Sequence, residues 1–253
     1  MKGPHAAIPQ RGGDLRLVGS VRLHRVDAFS KEQGVVGQDV IPQIDAVITG
    51  RRMLAHPFYQ RWLAGDLSIE DLQSYAGQYY KFEAAFPGYL TKVLAKLDTA
   101  ADRKVLLQNL VDEEGGPESH LEMFARFGKA LGVGRDQLES APVKDSTRML
   151  VDTFAIATAD GSPAEGLVTL YAYESQAAEV AASKTESLMS RYGLKPGDGT
   201  DFWSVHAQAD ELHSAWEREL LERLIQDPEP VVAAAGRASN ALWGFLDGCS
   251  KIA

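Results

Sequence analysis

Cysteine is almost absent. Cys249 is the one thiol in 253 residues, so no disulfide can close within the chain and a disulfide-stapled scaffold is excluded. No apolar run approaches the roughly 18 residues that a membrane span needs. The first residues, MKGPHAAIPQRGGDLRLVG, lack the apolar stretch of a secretory signal. Positive charge is also short: 26 Lys and Arg against 35 Asp and Glu leave a formal net charge of -9. No dense basic cluster appears, which argues against a nucleic-acid partner. A cytoplasmic protein that binds neither membrane nor nucleic acid is the expectation. Familiar catalytic loops are missing too. KPGDGTD, at 195–201, lacks the Gly-Lys-Ser/Thr ending of a phosphate loop, and there is no GxSxG elbow or dinucleotide fingerprint.

The remaining composition is that of a folded domain, with 45% hydrophobic and 24% charged residues. Residues 1–44 carry scattered Gly and Val without a sustained period. They read as a partly mobile extension with a short strand near Leu15 to Leu23. Residues 45–253 read as one helical domain. Pro57 and Gly65 bracket a short helix, and Ser68 with Asp71 forms a capping-box pattern that starts a long one. Pro87 should kink that helix. Further helices are expected over 101–114, 117–131, 147–159, 163–192, 202–226 and 231–246, with Pro117 at a helix start and Pro228 at a helix end. The fold class is all-α, a bundle of seven or eight helices.

Three acidic and imidazole groupings could carry chemistry. In HAQADELH, His206, Asp210 and His213 fall within an arc of about 60° on one helix face. They could bind a divalent transition metal, or form a polar surface stripe. In DEEGGPESH, Glu113 and His120 flank a break at Gly115-Gly116-Pro117. Three acids at 112–114 sit at the negative end of a helix dipole, where they need a compensating cation. Glu174 shares its face with Ala177, Ala178, Ala181 and Ala182, so another helix or a substrate could come close; an exposed Glu on an Ala-rich helix would look the same. Together these are three carboxylates and three imidazoles, a set suited to two iron or manganese ions in a bundle.

Lys184 occupies a core-facing slot of the 163–192 helix, after Leu170, Tyr173, Ala177 and Ala181. Either its stem is buried and the ammonium snorkels to water, or the amine is desolvated, lowered in pKa and nucleophilic. Tyr173 lies about 20° away on the same face. Pattern alone does not single out Tyr59 from the early aromatic residues.

The segments HPFYQRWLAGDLS, QYYKFEAAFPGYL, NLVDEEGGPESHLEMF, YAYESQ and HAQADELH occur in an order that resembles the haem-oxygenase-like di-metal oxidases. Within them the chain is most similar to the self-sacrificing para-aminobenzoate synthases, the group of the chlamydial protein associating with death domains. The resemblance covers roughly Asp45 to Leu246. It implies a haem-oxygenase-like seven-helix bundle with a dinuclear non-haem site, Fe/Fe or Mn/Fe, that uses O2 and an external reductant. It implies Glu113, His120, Glu174, His206, Asp210 and His213 as metal ligands. It further implies Tyr59 as the ring source, Lys184 as the amino donor and Tyr173 as an accessory redox tyrosine. A homodimer is plausible for the group, and the electron donor is unidentified. Where members have another aromatic hydroxyl, this chain has Phe202, which puts a relay through that position in doubt. The resemblance leaves two alternatives open. One is a di-iron oxygenase acting on an external amine or acid; the other is a metal-free protein similar to pyrroloquinoline-quinone synthase.

Overall fold

A computed structural model describes residues 39–250. The strand expected near Leu15 to Leu23, and the extension that contains it, lie outside the described residues up to residue 38. All regular structure among the described residues is helical. Helix α1 covers 39–49 and so spans the change of pattern near residue 44. Its Val40, Ile41 and Ile44 are buried in the core. A 3-10 turn at Met53–Ala55 leads to α2 (Pro57–Ala64), α3 (Ile69–Leu94), α4 (Ala100–Glu114) and α5 (His120–Ala130). Then follow α6 (Arg135–Ser140), α7 (Asp145–Asp160), α8 (Pro163–Ser190), α9 (Asp201–Leu224) and α10 (Pro228–Ser250).

Local chemistry sets the ends. His56 accepts the Phe58 amide ahead of Pro57, and Gly65, at φ 81°, closes α2 in a left-handed conformation that a side chain would strain. Ser68 with Asp71, Ser119 with Glu122 and Ser162 with Glu165 each form a reciprocal capping box, opening α3, α5 and α8. Three readings of the sequence need correcting. Helix α5 starts at His120 rather than Pro117, because the Ser119 cap, not the proline, supplies the first hydrogen bonds. Pro228 opens α10 instead of closing α9, which ends at Leu224 where Ile225 turns extended. The short α6 escapes a periodicity reading because Leu138 is its one buried residue. Helix α3 runs through Pro87 to Leu94 without interruption.

The core is unusually aromatic. Phe58, Trp62, Tyr75, Phe82, Phe124, Phe127, Phe154 and Phe202 are buried, and their rings meet in edge-to-face and tilted contacts. The broadest helix contact is α8 against α9, while α10 covers α7 and α8. Gly166 lets α8 approach α3 and α7: a Cβ there would lie 2.8 Å from Val93 Cγ2. The α8–α9 seam, closed by α3 and α4, is where the polar residues of the interior collect.

Candidate metal centre

Four helices deliver the expected groups to that seam. Glu113 from α4, His120 from α5 and His206 from α9 meet in one cluster, which Glu83 from α3 joins. Glu174 from α8 with Asp210 and His213 from α9 form the second. All seven are buried. His206 and Asp210 lie one turn apart on α9, so the clusters are neighbours along one helix. In the first, His120 Nδ1 is 3.0 Å from Glu113 Oε2, and His206 Nε2 is 4.0 Å from Glu113 Oε1 and 3.9 Å from Glu83 Oε1. In the second, His213 Nδ1 is 3.6 Å from Asp210 Oδ1 and 3.9 Å from Glu174 Oε2.

Outer partners fix the direction of these side chains. His206 Nδ1 donates to the Phe202 carbonyl at 2.8 Å, which turns Nε2 inward. His213 Nε2 donates to Asp112 Oδ2 at 2.9 Å, which leaves Nδ1 facing Glu174 and Asp210. Asn109 Nδ2 donates to both oxygens of Glu174 at 2.9 and 3.0 Å. An imidazole held by a carbonyl or carboxylate on its far nitrogen is the arrangement that metal-ligating histidines adopt. Helix α4 therefore contributes three residues in one turn and a half: Asn109, Asp112 and Glu113.

The donor set fits a pair of divalent ions. His120 Nδ1, His213 Nδ1 and Asp210 Oδ2 are buried without a hydrogen-bond partner, although all three face other donor atoms. Glu217, one turn beyond His213, is buried with both oxygens unpartnered. Burial and the neighbouring carboxylates push Glu174 up to about 8, and raise Glu83 and Glu217 well above the usual carboxylate range. His213 goes the other way. Burial lowers it, but Asp210, Glu174 and Asp112 outweigh this and raise it to about 9. So many buried acids with idle lone pairs would be costly alone and are satisfied by cations. Carboxylate and imidazole without thiolate suits iron or manganese.

A second polar island lies beside the centre. Lys184 is 1% exposed, so it does not snorkel. Its Nζ donates to the Tyr75 hydroxyl at 2.6 Å, and Tyr75 meets the Tyr59 hydroxyl at 3.3 Å. Five rings surround the amine: Trp203 at 3.7 Å, Tyr75 at 4.6 Å, Tyr59 at 4.9 Å, Trp62 at 5.1 Å and Tyr79 at 5.2 Å. Burial holds its pKa well below the usual lysine range, with only partial opposition from Cys249 and Glu83. Burial likewise lifts the Tyr59 phenol and puts the Cys249 thiol at about 12, so Cys249 is inert as a nucleophile. Tyr173, the neighbour of Glu174, bonds hydroxyl to hydroxyl with Tyr79, and Tyr79 stacks on Tyr75 with centroids 5.5 Å apart. Phe202 packs 4.1 Å from the His206 ring and offers no hydroxyl. The space left between the two islands is about 20 Å³, lined by Tyr59, Tyr79, Tyr173, Lys184, His206 and Asp210. That is room for about one water.

Sequence reasoning missed Glu83, Asn109, Glu217, Tyr75 and Tyr79 as members of the site, and saw Asp112 only as part of an acidic run. Glu83 left a signal: an acid between Phe82 and Phe86 on the apolar face of a long helix.

A family model described as an iron-containing redox enzyme, of the haem-oxygenase type, matches residues 73–243. The chain is 37% identical over 213 residues to a 4-aminobenzoate synthase of Chlamydia muridarum, covering 84% of this chain and 90% of the relative. It is 38% identical over 218 residues to a 4-aminobenzoate synthase of Nitrosomonas europaea, covering 81% and 89%. Among solved structures, a TenA homologue from Pseudomonas syringae pv. tomato has the same fold, with TM-score 0.74, 19% identity and coverage of 85% of this chain and 92% of the other.

Proposed function

This chain belongs to the haem-oxygenase-like family of iron-containing redox enzymes, and we propose that it forms 4-aminobenzoate from its own Tyr59 and Lys184. It is an oxidoreductase, and the product follows from the activity of the two relatives. The observation that carries the self-substrate reading is the narrow space of about 20 Å³ between the metal centre and the Tyr59–Lys184 pair. An external aromatic acid or amine has nowhere to sit there, whereas a phenol ring and an amine of the chain already do.

Glu113, His120 and His206 would hold one ion, and Glu174, Asp210 and His213 the other, as Fe/Fe or Mn/Fe. When bound and reduced by an external donor, the pair supplies the activation of O2 and hence the oxidant. The remaining steps belong to the chain. Tyr59 must lose an electron and its phenolic proton to become electrophilic. A route of phenols leads from the centre towards it: Tyr173, its hydroxyl partner Tyr79, the stacked Tyr75, then Tyr59. That route avoids Phe202. Lys184, held largely unprotonated by burial, gives a hydrogen to Tyr75 and keeps its lone pair for a C–N bond to the ring carbon that bears the phenol oxygen. That oxygen leaves as water, and the Lys184 Nζ–Cε and Tyr59 Cα–Cβ bonds must be broken at the expense of the O2-derived oxidant to free the product. The aromatic cage excludes water, which would otherwise compete for the oxidised ring.

The test is one sample carried through three measurements. Anaerobic protein is loaded with iron, or iron and manganese, then given reductant and air. Expected results are loss of the side chain at residue 59 by intact mass and peptide mapping, at most one 4-aminobenzoate per chain, and label in the product when the protein carries isotopically labelled lysine. Product formed while the protein mass stays constant overturns the proposal.

A further inference from the structure

Glu83 stands where the core pattern calls for a hydrophobe. It is 3% exposed, on the inner face of α3 between Phe82 and Phe86. Spacing of four residues puts Tyr75, Tyr79 and Glu83 in one row along that face. The row begins at the Lys184 amine, through Tyr75, and ends at the first metal cluster. There, an oxygen of Glu83 and one ligand atom each of Glu113, His120 and His206 all lie within 4.8 Å of one another. Glu83 is spaced from its neighbours as a donor around a common point and not as a hydrogen-bonded partner: His206 Nε2 is 3.9 Å from Glu83 Oε1 and 4.0 Å from Glu113 Oε1, while His120 Nδ1 is 3.0 Å from Glu113 Oε2. No described residue hydrogen-bonds to the Glu83 carboxylate. A buried acid facing a second acid, with no donor of its own, needs a proton or a cation.

We propose that Glu83 is a fourth protein ligand of the first metal position. The two positions then differ in kind. The first takes two carboxylates and two imidazoles from four separate helices, α3, α4, α5 and α9. The second takes Glu174, Asp210 and His213 from only α8 and α9. A four-donor position assembled from rigid helices binds more tightly and fills first; the three-donor position keeps more open coordination for an exogenous ligand. The inference rests on the dinuclear reading of the centre, and is independent of which product the enzyme makes.

Stepwise anaerobic titration with Mn(II) alone, followed by calorimetry and by electron paramagnetic resonance of the bound ion, tests it without turnover. Wild type should take up two ions in two distinguishable steps. Glu83→Gln, which keeps the shape, should weaken the tighter step by at least about tenfold, the scale already seen for partners outside the ligand set, and leave the weaker step in place. Glu83→Asp should recover part of the loss. Circular dichroism of each apo variant confirms that the helices are intact. Two wild-type steps in folded Glu83→Gln overturn the proposal, as does an equal loss in both steps. Failure of the wild type itself to bind two ions would sink the dinuclear reading instead, and Glu113→Ala serves as the positive control for a lost ligand.

Discussion

The Lys184 amine and the Tyr75 hydroxyl are hydrogen-bonded at 2.6 Å, and Tyr59 reaches the amine's partner at 3.3 Å rather than the amine itself. Tyr75 is thus the hinge of the arrangement: it orients the nitrogen over the ring cage and holds the phenol of Tyr59 in the same network.

Tyr75→Phe removes that hydroxyl and leaves the Lys184 nitrogen buried with no hydrogen-bond partner among the described residues. The expected cost is about 1–3 kcal/mol of stability by urea denaturation, with 4-aminobenzoate yield sharply reduced although two metal ions still bind. Wild-type yield from this variant would show that Lys184 needs no orientation.

Lys184 gives a pH signature. Its folded-state pKa is depressed by burial, while the unfolded chain keeps the ordinary lysine value. Between those two values the unfolded state binds the extra proton, so stability contributed at this site rises with pH and falls as pH drops. Relative to Lys184→Met, wild type should therefore gain stability as pH rises towards the ordinary lysine value of about 10. Denaturation curves for both proteins across that range measure it, and a pH-independent difference would mean an ordinary, hydrated amine.

Asp112 is a positioning residue acting through His213. It is about one-third exposed, at 37% for the side chain, so Asp112→Ala should leave the fold intact. Freed of its partner, His213 loses its fixed tautomer. Affinity at the second metal position should fall about 10–100-fold, while the first position is unchanged. Wild-type affinity at both positions in this variant would show that the Asp112 contact does not orient His213 for the metal.

The phenol route predicts a separation of binding from chemistry. Tyr79→Phe keeps the ring stack on Tyr75 but deletes the hydroxyl that meets Tyr173. Metal content should stay at the wild-type level and the rate of side-chain loss at Tyr59 should drop. A wild-type rate would remove Tyr79 from the path.

Packing around α8 offers a check on the scaffold. Gly166→Ala would place a Cβ 2.8 Å from Val93 Cγ2 and 3.5 Å from Thr158 Cα. Overpacking of this kind costs about 1–3 kcal/mol, to be read as a lower midpoint in urea. No loss would show that Val93 moves aside freely.

How much of this was legible in the sequence depends on what local pattern can encode. Most of the helices were, because Ser68 caps α3 and Gly65 ends α2 in a conformation that favours glycine, whereas the Ser119 cap of α5 was not, and Pro117 stood in its place. The group on α9 was visible as an arc, because a helix turns spacing into direction. Glu113 and His120 were harder, since the chain leaves one helix and enters another between them. Residues that belong to the site only through contact between distant segments left little trace. Asn109 is chosen by Glu174, 65 residues away, and Tyr75 by Lys184, 109 residues away. One aromatic among many on α3 looks like core from its neighbours in sequence, and is core; its second role appears only when α8 is laid against it. Glu83 differs, since a lone acid in an apolar stripe already conflicts with the pattern.

The narrow interior has a further consequence, for egress. A benzene ring with its substituents cannot pass through a gap that holds a single water, and the rings of Tyr79, Trp203 and Phe245 line it. Under the proposed reaction, the aromatic acid cut from the backbone would leave only when helices separate. Departure of product and loosening of the spent chain would then be one event, with the catalyst discarded by the act that delivers its yield.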